Sequence, residues 1–575
     1  MSIVDTKLKR YTELKNKKQL WHNLWQKVGE YVHTKKQDFT TANQEGSFLN
    51  EELYDSTAPK ANRKMAASLI GNLWPNGGRS VKIVPVRGLK ESKEIKNYFE
   101  EINEVLFEAL DDPSAGLVLA LEEYMNDQGS FGASGLYCDD SHNDESELIF
   151  RAWGVDEVCL EEGKNGTIDI IYREFEWTVN QIVTEYGEEN VSKKILEKWN
   201  DGQYDDKFKI LHIIEPREMT PNRKGNEAMP YMSLHFEIES RKILRESGFQ
   251  EKPAYFARFF KKRGETYGRS PAMDALPDIL ELNATKEARI NAIEKSLDPP
   301  LAIENDGILG NGSIDTSAGA INVLNITGRA QSTGNPIFPL YTVETIREAD
   351  KSIEELKTSI NEHFNIDRLL DFNNNTQMTL GETQMRAAIR AQALGSLFTR
   401  QINEVLTPII ERAVAVLFRK ERLGLFSDDP LIEEAELLGL EEMIKIPDEV
   451  AKLITAGKNF YTVKYDTPAA RMMQAEEAQG IIRTWEFAGQ LAQLDPEVMD
   501  NLDADKSLSV VASASGAPSS VMVSKELVAK IREQRAQQMQ AQQQAQQAQQ
   551  QLGQAEQAAN IAQTMEPQAN ENEQQ

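Results

Sequence analysis

Cysteine is nearly absent. Only Cys138 and Cys159 occur in 575 residues. Two thiols cannot staple a chain of this length, so the fold is expected to stand without disulfides in a reducing compartment. No apolar run reaches the roughly 20 residues that cross a bilayer. The first residues, MSIVDTKLKRY, lack the apolar core of a secretion signal. These absences predict a soluble protein made in a cytoplasm. Positive charge is also short: 64 Lys and Arg face 91 Asp and Glu, a net of −27. Sequence-specific nucleic-acid binders carry a basic footprint. Contact with DNA is therefore expected to be loose or confined to a small local patch, because an acidic wall repels phosphate.

Recognisable catalytic equipment is missing as well. There is no G-x-x-x-x-G-K-[ST] loop, no H-E-x-x-H and no C-x-x-C. The six histidines, at 22, 33, 142, 212, 235 and 363, form no ligand spacing. Gly307-Ile-Leu-Gly310-Asn-Gly312 has the wrong glycine order for a dinucleotide loop and no helix after it. Asp139, Asp140, Asp144 and Glu145 lack the spacing and central glycine of a calcium loop, and read as a solvated acidic loop. Gly132-Ala-Ser134-Gly135 does not satisfy G-x-S-x-G. No enzyme activity, cofactor or metal is expected. The enzymatic alternative is a metal-dependent nuclease using Asp139, Asp140 and Glu145.

What is present is a chain long enough for two to four domains, 40% hydrophobic and 7% aromatic. Residues 4–32 read as one amphipathic helix, with Leu14, Trp21, Trp25 and Val28 at helical spacing. Its other face carries Lys7, Lys9, Lys15, Lys17 and Lys18. This reads as the solvated face of a docking helix, with nucleic-acid or partner-ring contact as the alternative. An Ala-rich helix over 55–75 ends at Trp74-Pro75-Asn76-Gly77-Gly78. Residues 129–175 turn to β structure, 178–200 return to helix, and 207–262 are β-rich. A long helix over 270–298 is capped by Ser270 with Pro271 in first position, and Pro299-Pro300 stops it. Short strands fill 301–341, and 343–363 is helical. An irregular segment, 364–378, precedes a capping box at Thr379 and Glu382 that opens a helix running towards Lys420. Beyond about 511 the chain is dominated by Gln and Ala, which favour helix but bury little.

From about residue 5 to about 500 the order of motifs resembles the head-to-tail connecting (portal) family of short-tailed bacteriophages. The likeness is carried by Trp21 and Trp25 and by Leu69-Ile70-Gly71-Asn72-Leu73-Trp74-Pro75. It continues through Trp177-Thr178, Gln181-Ile182 and Tyr186-Gly187, then Tyr267-Gly268-Arg269-Ser270-Pro271-Ala272, Leu276-Pro277 and Asp298-Pro299-Pro300-Leu301. It ends with Met378-Thr379-Leu380-Gly381-Glu382-Thr383 and Leu406-Thr407-Pro408-Ile409. The resemblance implies an α+β, helix-rich portal fold of wing, stem, clip and crown, assembled as a dodecameric ring around a central channel. It maps the wing to 1–176 and 299–420, stem helices to 177–203 and 265–298, the clip to 204–264 and the crown to 421–510. Residues 511–575 would be a barrel or a disordered tail.

Two sets of site residues follow. The segment 364–378 falls where the family's tunnel loop would lie. There Asp367, Arg368, Asp371, Asn373, Asn374, Asn375 and Gln377 would meet DNA without reading its sequence. Lys261, Lys262, Arg263 and Arg269 form a basic band that would hold backbone phosphates, or pair with neighbouring acids or an adaptor. The implied partners are eleven further copies, double-stranded DNA, the large terminase, tail adaptor and nozzle proteins, and the major capsid and scaffold proteins. The implied location is the capsid vertex of the virion, after synthesis in the bacterial host cytoplasm. The structural alternative is a scaffold or internal ejection protein.

Overall fold

Apolar residues at helical spacing form α1 (Ile3–Tyr31), with Leu14, Trp25 and Val28 buried. The computed structural model describes residues 3–44, 46–75, 79–89, 92–140, 146–217, 225–304, 314–324, 337–339, 346–366, 395, 397–426, 444–492, 495–514, 528 and 530–541. Two compact units result, Met1–Gln474 and Ala475–Gln575.

In the first unit α1 is followed by α2 (Thr57–Leu73), β1 (Val81–Pro85), α3 (Lys93–Asp111) and α4 (Leu117–Phe131). Next come β2 (Ala133–Asp140), β3 (Leu148–Gly154), β4 (Val158–Glu162), β5 (Ile168–Thr178), α5 (Val179–Tyr186) and α6 (Lys193–Asn200). Strands β6 (Lys207–Pro216), β7 (Tyr231–Glu237), β8 (Ile243–Phe249) and β9 (Ala254–Arg258) lead to the long α7 (Pro271–Leu297). Three short strands follow, β10 (Leu301–Glu304), β11 (Ile321–Leu324) and β12 (Ile337–Pro339), and then α8 (Ile346–His363). The unit closes with α9 (Thr407–Arg419), α10 (Asp448–Thr455) and β13 (Tyr461–Tyr465). A helix, α11 (Pro468–Leu491), runs on into the second unit, which also holds α12 (Ala504–Ala514).

Strands β3-β2-β9 make one antiparallel sheet and β4-β5-β6-β7-β8 another. The five-stranded sheet is covered on both faces. Val4, Tyr11 and Leu14 of α1 pack on Tyr172, Leu211, Ile213, Leu234 and Phe236. Val179, Ile182, Val183 and Ile195 pack on Phe208, Ile210 and Leu244. Part of the lysine-bearing face of α1 docks on the same sheet: Lys7 pairs with Glu215, and Lys15 with Glu174 at 2.7 Å, while Lys9 and Lys17 are exposed. Lys18 is buried, and its Nζ donates to Asp156 O at 2.7 Å. Sheet carboxylates opposite the lysines account for this, and α1 is a docking helix.

Two expectations need correction. The single helix expected over 178–200 is two short helices, because Gly187 at φ 80° ends α5 and Ser192 caps α6. Their apolar faces are used on the five-stranded sheet, so they are not the helix laid beside α7. That partner is α8. In the stretch 421–510, expected to form a separate crown, Leu423, Ile446 and Val450 belong to the main core, and β13 pairs with β1.

Across the face of the five-stranded sheet that α5 and α6 cover runs a row of directly opposed residues, Arg173, His212, His235 and Arg245. The imidazoles stack with centroids 3.8 Å apart. His212 Nε2 lies 3.0 Å from Ser233 Oγ, and His235 Nδ1 lies 2.9 Å from Tyr186 Oη. Arg173 pairs with Glu157 and Arg245 with Glu185. Burial, the neighbouring imidazole and both arginines hold His212 well below its usual range. Burial and the arginines bring His235 from 6.5 down to about 3. In the unfolded chain both protonate near 6.5, so stability is complete above that pH and falls as pH drops towards 3. The expected loss for His235 alone is about 2 kcal/mol at pH 5 relative to pH 7.5, measured by urea unfolding. His235→Gln should reduce that dependence and leave the share of His212; a wild-type curve level between these pH values would contradict it.

Candidate functional site

α7 and α8 form an antiparallel hairpin. Ser359 Oγ donates to Asp278 at 2.6 Å near one end, and Arg289 Nε to Asp350 at 2.5 Å near the other. Residues 271–283 of α7 sit in the main core, with Ala272, Ala275, Leu276, Ile279 and Leu282 buried. From 284 to 297 no α7 residue is buried. This half of the hairpin projects, and it carries β10, β11 and β12 at its far end. β10 is central, parallel to β11 and antiparallel to β12.

The base of α7 is held by a dense set of local contacts. Tyr267 is buried edge-on against Trp25, centroids 5.1 Å apart, and its hydroxyl accepts from Leu160 N at 3.2 Å. Gly268 lies against Gly132: a Cβ on Gly268 would stand 2.2 Å from Gly132 O. Ser270 Oγ accepts from Met273 N at 3.1 Å and donates to Ser130 O at 2.7 Å. Pro271 fills the first helical position, where no N–H is required. Further along α7, Asn283 accepts from Tyr54 N at 2.8 Å and donates to Glu52 O at 2.7 Å. Asn283 gave no sequence motif; its signal is a polar residue on the apolar stripe of α7.

The basic band lies on the turn from β9 into α7, closed by reciprocal Phe260–Arg269 backbone bonds. Lys261 pairs with Glu162 at 2.5 Å, Lys262 with Glu265 at 3.1 Å and Arg269 with Glu265 at 2.7 Å. Arg269 also stacks 4.8 Å over the Trp21 ring. Hydrogen bonds from Arg269 and Lys262 hold the Glu265 carboxyl down at about 2. Arg263 is exposed and makes no ion pair among the described residues. Three of these four cations, together with Arg258, which also reaches Glu162 at 3.2 Å, thus share two carboxylates, leaving a local excess of positive charge in an acidic chain.

Of the expected tunnel segment, the structure describes 364–366. Phe364 and Ile366 are buried, and Asn365 between them is left-handed at φ 53°. Asp367, Arg368, Asp371, Asn373, Asn374, Asn375 and Gln377 lie outside the described residues, as do Thr379, Glu382, Asp144 and Glu145. Asp139 and Asp140 are described and are engaged in ion pairs. Arg412, itself buried, reaches Asp139 at 3.2 Å and Glu251 at 2.6 Å, and Lys420 pairs with Asp140. Among the described residues no group of three or more His, Cys, Asp or Glu could hold a metal ion.

Residues 4–523 match the family described as bacteriophage head to tail connecting protein. The chain belongs to that family. It is similar to the portal protein of Salmonella phage epsilon15, 25% identical over 545 residues, covering 92% of this chain and 91% of that one. It is also similar to the probable portal protein of Bordetella phage BPP-1, 24% identical over 540 residues with the same coverage. A chain from the virion of a native gene transfer agent particle aligns with 71% of this chain and 91% of its own length, at 11% identity and a TM-score of 0.31.

Within this connector fold the Tyr267–Pro271 stretch has a physical role: it seats a projecting helix on a rigid base. Gly268→Ala is expected to force the Gly132 and Arg258 backbones apart, at about 1–3 kcal/mol, seen as a lower melting temperature. Gly71→Ala, in a helix with open space at its Cβ position, should be neutral or slightly stabilising. Equal melting temperatures for the two variants would contradict the anchor.

Proposed function

We propose that this chain is a portal protein: twelve copies form a ring at one vertex of a phage capsid, and double-stranded DNA passes through its centre. The observation that carries this is similarity over nearly the whole chain to two phage portal proteins. The geometry adds a reason to revise the parts. A stem needs two helices side by side with the clip at their far end. α7 and α8 with β10–β12 between them meet that description, and 177–203 with 204–264 do not. The stem is therefore 271–297 with 346–363, and the clip is 299–341. The segment after Ile366 follows the second stem helix and is the tunnel loop. The first unit forms the wing around this hairpin, and the crown begins near residue 475.

The work is done by shape and charge. Twelve copies of a −27 chain carry roughly −320, so most of the lumen repels phosphate and lets it slide. Lys261, Lys262, Arg263 and Arg269 supply a weak, sequence-blind hold on the backbone. In this reading the chain itself is not an enzyme and needs no cofactor. The large terminase docks on the clip during packaging, and tail adaptor and nozzle proteins replace it. The major capsid and scaffold proteins contact the wing. The protein is made in the bacterial cytoplasm and ends in the virion. None of its described helices is long and apolar enough to cross a membrane. Negative-stain electron microscopy of the purified protein, with rotational class averages, should give twelvefold rings with an open centre. Monomers or filaments would contradict the proposal.

A further inference from the structure

The small sheet at the end of the hairpin exposes one wholly apolar face. Leu301 and Ile303 of β10 lie opposite Ile321 and Val323 of β11, and opposite Pro339 and Ile337 of β12. These six residues point the same way, since alternate residues share a face. Ile321 is 64% exposed, Val323 46% and Ile337 45%. On the other face Ala302 and Asn322 are buried. Strands of four, four and three residues hold their places through the packed face, which leaves the apolar one open to a partner. Close by, at the end of α7, Leu297 is 81% exposed.

We infer that the Ile321–Val323–Ile337 face is covered by a second copy of this chain, and that it packs there against Leu297 of that copy. The inference rests on the portal reading and adds to it the side chains that hold neighbouring subunits together at the clip. Three arguments name the occupant. Copies that each carry −27 repel one another, and this face of six apolar residues lets them meet without bringing like charges together. A ring needs a heterologous contact, in which the face meets a different surface of its neighbour and not its own image. Cyclic symmetry keeps every residue at one height along the axis, and Leu297 is only four residues before the start of β10.

The full-length chain tests this in two arms. Ile321→Asp places a charge on the face while leaving a solvent-exposed site of the single chain. It should keep the circular dichroism spectrum and raise the concentration for half-assembly by about tenfold or more in mass photometry. In the second arm, chains carrying Leu297→Cys and differently tagged chains carrying Ile321→Cys are co-expressed and oxidised. The native Cys138 and Cys159 are buried and free. Mixed-tag disulfide dimers are expected, and neither variant alone should give them in comparable yield. Wild-type rings with unchanged Ile321→Asp assembly and no mixed-tag dimer would overturn the inference and leave the portal reading standing. The face would then belong to a non-self partner. Wild-type protein that forms no ring would overturn both.

Discussion

Gly132 and Gly268 cross with their backbones in contact, where neither position has room for a Cβ. That close approach sets where the chain leaves the β3-β2-β9 sheet and where α7 begins. Ser270 then satisfies both a helix N–H and the Ser130 carbonyl, so α7 is tied to the end of α4. Tyr267 locks the same point to the Trp21–Trp25 pair on α1. A helix held over its first 13 residues can extend beyond the core for the rest, with α8 beside it. The hairpin and the strands at its end take their positions from this one junction.

Charge is arranged to leave that projection free. Lys7 and Lys15 of α1 are matched by Glu215 and Glu174 on the sheet beneath. Arg412, buried on α9, gathers Asp139 of β2 and Glu251 of the connection between β8 and β9, and so joins α9 to two separate parts of the chain. An unpaired buried arginine is costly, so such a centre fixes register between elements far apart in sequence. The acidic excess is left for the surface.

The fold class was legible because its signals are local. Ser270-Pro271 marked the start of α7, Pro299-Pro300 its end, and the β-rich stretch 207–262 holds β6 to β9. The partner of α7 was not legible. Both 178–200 and 343–363 show helical periodicity, and only the fold shows which lies beside α7. Residues 178–200 were misread as continuous because Val183, Tyr186, Ile195 and Trp199 keep apolar character through the break at Gly187. The basic run at 261–269 was visible, but its pairing with Glu162 was not, since that carboxylate lies on a strand about a hundred residues earlier.

The account turns on which helix–strand–helix unit stands at the channel. A cryo-electron microscopy reconstruction of the assembled ring measures it directly. The account predicts α7 and α8 nearest the axis, β10–β12 at the narrow end, and the five-stranded sheet at the periphery. A ring with β6, β7 and β8 at the narrow end and α8 on the outside would contradict it.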